Sequence, residues 1–558
     1  MKNALTHLNR NIYLKIINPF VFSVIILFVF TSCQNKVDLI VHNANVYTAD
    51  NNFSKATSFA VDKGKFVEVG GEELLKKYNA KNIVNAQSLA IYPGFIDAHC
   101  HFLGLGLKQK QADLVGTNSF EEIIDILVAY SETKQRNVIL GRGWDQNDWK
   151  EKKFPTKDRL DELFPDIPVA LRRIDGHALL VNQKALDMAG IDINTEMDGG
   201  TVIKKNGKLT GILVDTPMQL IEAILPKTTD SELIEALQTA EEICFKNGLT
   251  TVDDAGLSKD AINLIDSIQK EGLLSIRVYA MISNDKTSVD YFLERGPLKT
   301  DRLNVRSVKV YADGALGSRG AALKAPYSDL TGHYGAFITP PDSLESLAYR
   351  LAASPFQMNT HAIGDAANEA VLKAYQKALV FSEDPRWRVE HAQIIDNDDI
   401  KLFNKKIIPS VQPTHATSDM YWAEDRLGDK RMEGAYAFKT LKDQSKIVAL
   451  GTDFPVEQVS PFLTFYAAVA RQDLEEYPET GFLPENGLSR EEALLGMTRW
   501  AAHANFEETE KGSIVSGKLA DFIILDRDIM DVDITLVPKT RVVATFVNGE
   551  IVYSTRFK

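Results

Sequence analysis

The stretch Tyr92-Pro93-Gly94-Phe95-Ile96-Asp97-Ala98-His99-Cys100-His101 carries the key to the architecture. Pro93 and Gly94 punctuate its start, and an apolar run then ends in a His-x-His pair, the form of a buried strand with chemistry at its carboxyl end. Side chains two apart on a strand point the same way, so His99 and His101 share one face and Cys100 takes the other. Two imidazoles converging at a strand end can hold a divalent ion. Two ordinary core or surface histidines fit the same spacing, so the pair alone leaves both readings open.

Downstream of this strand, short apolar runs alternate with helical periodicity, the sequence form of βαβ units and a parallel sheet. Eight strands are predicted, over 94–99, 249–253, 275–281, 305–311, 357–361, 386–391, 407–412 and 446–452, with helices such as 343–354 and 365–381 between them. The fold class is therefore α/β, a (β/α)₈ TIM barrel over 93–103 and 246–507. The first gap is too long for one crossover, so 104–245 is read as an inserted α+β subdomain with a turn at Lys205-Asn206-Gly207-Lys208. Both ends carry short alternating strands, at 37–41, 46–48, 58–61 and 65–69, and again at 520–525 and 542–553 with a turn at Asn548-Gly549. Neither set buries its face alone, which predicts one β-sandwich built from 34–92 and 508–558, its N-terminal part antiparallel.

The N-terminus places Lys2, Arg10 and Lys15 ahead of an apolar run, 20–30, of signal-peptide length. It ends in Phe30-Thr31-Ser32-Cys33, which resembles the lipobox of bacterial lipoproteins, with Phe30 where leucine is usual. The expectation is a signal peptide over 1–33, a lipid anchor on Cys33, and an exported, membrane-anchored protein facing the periplasm or the cell exterior. An uncleaved anchor ending at a chance cysteine gives the same side of the membrane. The chain has only three cysteines, so no disulfide framework is expected, and Cys100 and Cys244 read as buried thiols. A net charge of −13 without clustered Lys and Arg argues against nucleic acid as a partner and leaves small molecules. Self-association is left open.

His361 ends the strand-like Phe356-Gln357-Met358-Asn359-Thr360, His391 ends Trp387-Arg388-Val389-Glu390, and Asp453 follows Ile447-Val448-Ala449-Leu450-Gly451-Thr452 in the same manner. In an α/β barrel all such ends gather at one rim, where catalytic groups sit. Lys309 lies inside the apolar strand Ser307-Val308-Lys309-Val310-Tyr311, where an ammonium is costly unless paired, for instance with Asp313.

The order His-x-His, Lys, His, His, Asp resembles the amidohydrolase superfamily. The local wording is similar to its amidohydrolase-3 subgroup, which includes N-substituted formamide deformylase. The phrases that carry this are 93–101, Lys309-Val310-Tyr311-Ala312-Asp313-Gly314-Ala315-Leu316-Gly317-Ser318, His361-Ala362-Ile363-Gly364-Asp365, Glu390-His391-Ala392-Gln393, Gly451-Thr452-Asp453-Phe454-Pro455-Val456 and 512–521. The resemblance implies that His99 and His101 hold one metal and that His361 and His391 hold a second. Asp453 would touch the first and handle protons, and Lys309, carbamylated by CO₂, would bridge the two. It implies one or two divalent ions, zinc by preference, and hydrolysis of a non-peptide C–N bond of amide, N-acyl or N-formyl type by metal-bound hydroxide. A related deaminase or esterase, or a non-catalytic solute-binding lipoprotein, are the alternatives. In the insertion, Trp144 and His177 are expected to line the substrate pocket, and Arg319 to meet a substrate carboxylate. His333 and His415 are unassigned.

Overall fold

The computed structural model describes residues 35–133 and 137–557, so the expected signal segment and Cys33 lie outside the described residues. At its centre, eight strands run parallel in chain order: β1 (Phe95–Cys100), β2 (Leu249–Leu257), β3 (Arg277–Ser283), β4 (Leu303–Tyr311), β5 (Gln357–Ala362), β6 (Trp387–His391), β7 (Ile407–Val411) and β8 (Ala449–Leu450). These strands are buried almost throughout, as strands covered on both faces must be, and the polar residues they carry, such as Gln357, Asn359, Arg388 and Glu390, are buried with them. The ring closes where the Asp453 N–H donates to the His99 carbonyl at 2.7 Å and the His101 N–H to the Phe454 carbonyl at 2.8 Å. β8 is shorter than the expected 446–452. Lys446 ends the helix Phe438–Ser445 in a left-handed conformation, and the Thr452 N–H and hydroxyl go to the Asp97 carboxylate at 2.9 and 2.7 Å instead of to a neighbouring strand.

Helices Pro341–Ala352 and Asp365–Ala378 fall where periodicity places them, each burying one apolar stripe against the strands. The insertion forms its own six-stranded sheet, in the order Gly200–Lys205, Lys208–Asp215, Ala178–Val181, Val169–Arg173, Ile139–Trp144, Ala112–Asp113. Its last helix, Asp230–Lys246, starts with a Thr229/Glu232 capping box and sends Leu237, Ala240, Cys244 and Phe245 into the barrel's apolar core, so by packing it belongs to the barrel rather than to the insertion.

Strands from both chain ends share one sheet, in which Phe522–Leu525 pairs with Ala90–Pro93 on one side and Val542–Val547 on the other. A second sheet from the N-terminal part faces it, and Phe59, Phe66, Phe522 and Phe546 fill the space between them. The expected N-terminal strands pair antiparallel, Asn35–His42 with Ser58–Asp62, Ser58–Asp62 with Lys65–Gly70, and Asn45–Tyr47 with Lys55–Ala56, while two strands that the alternation does not announce add parallel pairings. Asn35–His42 pairs parallel with Tyr78–Asn85, and Asn45–Tyr47 parallel with Ala90–Pro93, because the intervening chain crosses over instead of turning tightly. Among the described residues no helix is long and apolar enough to cross a membrane.

Candidate metal centre

The barrel brings five side chains from four strand ends to one point. His99 and His101 end β1, His361 lies on β5, His391 ends β6, and Asp453 follows β8. One ligand atom each from His99, His391 and Asp453 lies within 4.8 Å of the others, all three buried. His101 Nε2 lies 3.2 Å from Asp453 Oδ1. The His361 and His391 ring centroids are 4.5 Å apart, and those of His99 and His391 4.8 Å. His391 and Asp453 adopt φ of +70° and +61°, conformations costly for residues other than glycine, which the closed barrel imposes just where their side chains turn inward.

Each histidine is held by one ring nitrogen and presents the other. His99 Nδ1 donates to Glu390 Oε2 at 2.5 Å, His101 Nδ1 to the Ala255 carbonyl at 3.0 Å and His391 Nδ1 to Gln412 Oε1 at 2.7 Å. His361 contacts the Gly314 carbonyl through Nε2 at 3.4 Å, which leaves its Nδ1. Neutral imidazoles oriented in this way are what a divalent cation requires of them. Burial, joined by the Lys309 charge, pushes the His99 pKa down to about 4, and burial likewise drives His361 and His391 well below their ordinary values. Burial pushes Asp453 the other way, yet the facing His101 and His415 rings hold it well below the usual carboxylate range.

Asp453 Oδ1 is buried without a hydrogen-bond partner, although His101 Nε2 is near. With His101 Nδ1 committed to a carbonyl, His101 Nε2 and Asp453 Oδ1 converge as two atoms able to ligate one cation between them. The residues thus fit a divalent metal.

Lys309 is buried with its Nζ 2.9 Å from His99 Nε2. Asp313 is not its partner, since its carboxylate accepts the backbone N–H groups of Ala322, Ile363 and Gly364. Burial pushes the Lys309 pKa down to about 8.

Above the centre opens a cavity of about 1580 Å³ between the barrel mouth and the insertion, lined by His101, His361, His391 and Asp453 and also by His177 and Tyr311. His177 therefore stands where expected, its Nδ1 bonded to Asp215 at 2.6 Å and its ring 5.0 Å from that of His361. The pocket role expected for Trp144 does not hold. Its indole is fully buried in the insertion's apolar core and donates to the Leu171 carbonyl at 2.8 Å. Arg319 is likewise not a substrate anchor, because it pairs with Asp329 at 2.8 Å away from the cavity lining. His333 bonds the Arg319 carbonyl at 2.8 Å.

Two contributors escape sequence reading. His415 Nε2 approaches Asp453 Oδ2 at 3.3 Å while its Nδ1 meets Glu457 at 3.0 Å, and these carboxylates outweigh burial to raise its pKa to about 10. Glu390, which orients His99, is itself held by the buried Arg388 at 2.6 Å, and its pKa falls to about 2 because the Arg388 and His99 charges overcome burial. The position of His415 just past β7, at the same rim, is the signal that could have flagged it.

Comparison with known proteins bears on the same centre. The profile described as the amidohydrolase family matches residues 82–553. The protein YtcJ of Bacillus subtilis (strain 168) is 32% identical over 524 residues, covering 92% of this chain and 98% of its own. The N-substituted formamide deformylase of Arthrobacter pascens is 25% identical over 547 residues, covering 92% and 98%. An uncharacterized metal-dependent hydrolase of Pyrococcus horikoshii OT3 superposes with a TM-score of 0.73 at 26% identity, covering 89% of this chain and 99% of the other.

Proposed function

This chain belongs to the amidohydrolase family, as a metal-dependent hydrolase acting on non-peptide C–N bonds, and from that premise we propose that its substrate is an amide of N-acyl or N-formyl type. The observation that carries the reading is the buried, partnerless Asp453 Oδ1 facing a ring of oriented imidazoles beneath an open cavity. His99, His101, His361, His391 and Asp453 would hold the metal, with zinc the ion best suited to this nitrogen-rich set. When bound, a divalent ion supplies a water of pKa near ~7 and polarises the substrate carbonyl.

The chain's own residues do the rest. Asp453 takes a proton from the water whose oxygen adds to the amide carbon. As the C–N bond breaks with its electrons on nitrogen, Asp453 delivers that proton to the leaving amine. His415 fixes the second carboxylate oxygen. Removal of metal by a chelator is expected to abolish hydrolysis of an N-formyl or N-acyl amide, with activity restored on reloading. Asp453→Asn is expected to lower kcat by roughly 10²- to 10⁴-fold in a chain that still folds. Undiminished turnover in both cases refutes the reading.

Lys309 is proposed to carry a carbamate. An amine depressed toward neutrality keeps a lone pair for CO₂, its nitrogen forming the C–N bond as it releases a proton, and the product places an anion where an ammonium now lies against His99. A ¹³C carbamate resonance under ¹³CO₂ that is lost in Lys309→Ala is the expected result, and its absence from the metal-loaded protein counts against the modification. Export and lipid anchoring at Cys33 are proposed on the N-terminal sequence alone. Fatty-acid labelling in the native host should mark the wild-type chain and not Cys33→Ala; equal labelling of both removes the proposal.

A further inference from the structure

Resting on the amide-hydrolase reading just given, we propose that Arg142 is a docking point for a carboxylate on the substrate, so that the preferred amides carry a free acid. Three arginines of the insertion, Arg142, Arg172 and Arg173, line the cavity that contains the metal centre. Arg173 bonds Asp175 at 2.6 Å, Gln146 at 2.8 Å and Asp145. Arg172 bonds Glu222 and, at 3.2 Å, the Gly176 carbonyl. Among the described residues Arg142 makes no ion pair. Its Nη2 finds only the Ile174 carbonyl, at a long 3.4 Å, and its buried Nε has no partner.

The fold adds to this imbalance. Arg142 and Arg172 are register partners on adjacent parallel strands, so both point to one face and repel each other. Immediately afterwards the register shifts at Gly143, whose φ of +117° suits glycine and whose position leaves no room for a Cβ beside Val115. A bulge of this kind re-aims side chains. Here it leaves Arg142 on the cavity wall while Trp144 turns back into the apolar core. The carboxylates whose charge reaches it are already engaged, Asp453 by the His101 and His415 rings and Asp175 by Arg173. Burial and the Arg172 charge lower the Arg142 pKa to about 10, so the guanidinium stays charged at neutral pH. An enclosed planar fork of donors with no counter-charge, next to a second cation, is matched by a carboxylate arriving with the ligand.

The test uses two ketones that no hydrolase cleaves, 4-oxopentanoate and its uncharged isostere 5-methylhexan-2-one, titrated into the full chain as purified with its metal and followed by ligand-observed NMR. The wild-type chain is expected to bind the acid about tenfold to hundredfold more tightly than the isostere. Arg142→Met should erase that preference by weakening the acid alone, and Arg142→Lys should restore part of it. Equal binding of the two ketones, no binding of the acid by the wild-type chain, or an equal loss of both in Arg142→Met overturns the proposal. If the preference and its loss in Arg142→Met are found while no amide is hydrolysed, the functional reading fails and the anion site stands. Hydrolysis of charged and uncharged amides with equal kcat/KM does the opposite, keeping the functional reading and removing the anion site.

Discussion

His415 holds Asp453 from one side while Glu457 holds His415 from the other, so the carboxylate at the heart of the site is positioned through a relay of two contacts. Partners of metal-site residues typically cost 10- to 100-fold in activity or affinity when removed. His415→Asn is therefore expected to lower kcat by about that factor while leaving the protein folded; a variant with wild-type kcat and metal content would show that the contact is incidental. The relay also shows what a sequence can and cannot declare about single residues. His99, His101, Lys309, His361, His391 and Asp453 are legible because each sits in or at the end of a strand-like run, and a parallel barrel gathers those ends whatever the loops do. His415 shares that rim just past β7, yet its role and that of Glu390 depend on partners 38 and 291 positions away, which the sequence does not bring together. Trp144 and Arg319 mislead for a different reason. An aromatic or an arginine can face either side of a sheet or loop, and a one-residue bulge at Gly143 and a local carboxylate at Asp329 decide the matter.

At the level of elements, the barrel strands are readable to within a few residues because short strand-like runs alternate with helical periodicity along the chain. The exception, β8, is instructive. Its expected length assumes that backbone groups find their partners in the next strand, whereas Asp97 on β1 takes the Thr452 N–H and hydroxyl. The substitution is productive for the site. By ending β8 early, the same carboxylate clamps the turn that presents Asp453, and it leaves Gly451 packed so tightly against His99 that a Cβ there would lie 2.5 Å from the His99 backbone nitrogen. β1 and the end of β8 are thus locked together, and the ligands they carry inherit that rigidity. The parallel pairings of the sandwich are illegible because short alternating strands fix the face that is buried but not the neighbour or its direction.

Across the whole molecule, the sandwich is fastened to the barrel by a buried ion pair rather than by apolar contact alone. Arg277 on β3 donates through Nε and Nη2 to the two oxygens of Asp521 at 2.6 and 2.9 Å, and Nη2 also reaches Asn548 at 2.7 Å. Asp521 is held low because the Arg277 charge and hydrogen bonds outweigh burial, and Arg277 is raised by the same partner. Removing one member of such a pair leaves the other charge buried and uncompensated, at a cost of about 3–5 kcal/mol, while replacing both with apolar groups costs far less. Asp521→Asn is accordingly expected to lower the urea midpoint sharply at pH 7, and Arg277→Met with Asp521→Leu to recover most of the loss. The sign of the pH effect follows from the direction of the shift. A carboxyl whose folded pKa lies below its unfolded value of about 3.9 stabilises the fold above that value and loses the contribution as pH falls through the folded one. The gap between wild type and Asp521→Asn should therefore be full at neutral pH and narrow progressively below about pH 4, as the unfolded chain takes up the proton first, closing once the folded carboxylate is itself protonated. A gap unchanged down to pH 3, or costs that simply add in the double variant, would mean that the two domains are held by their apolar faces and that the pair is a bystander.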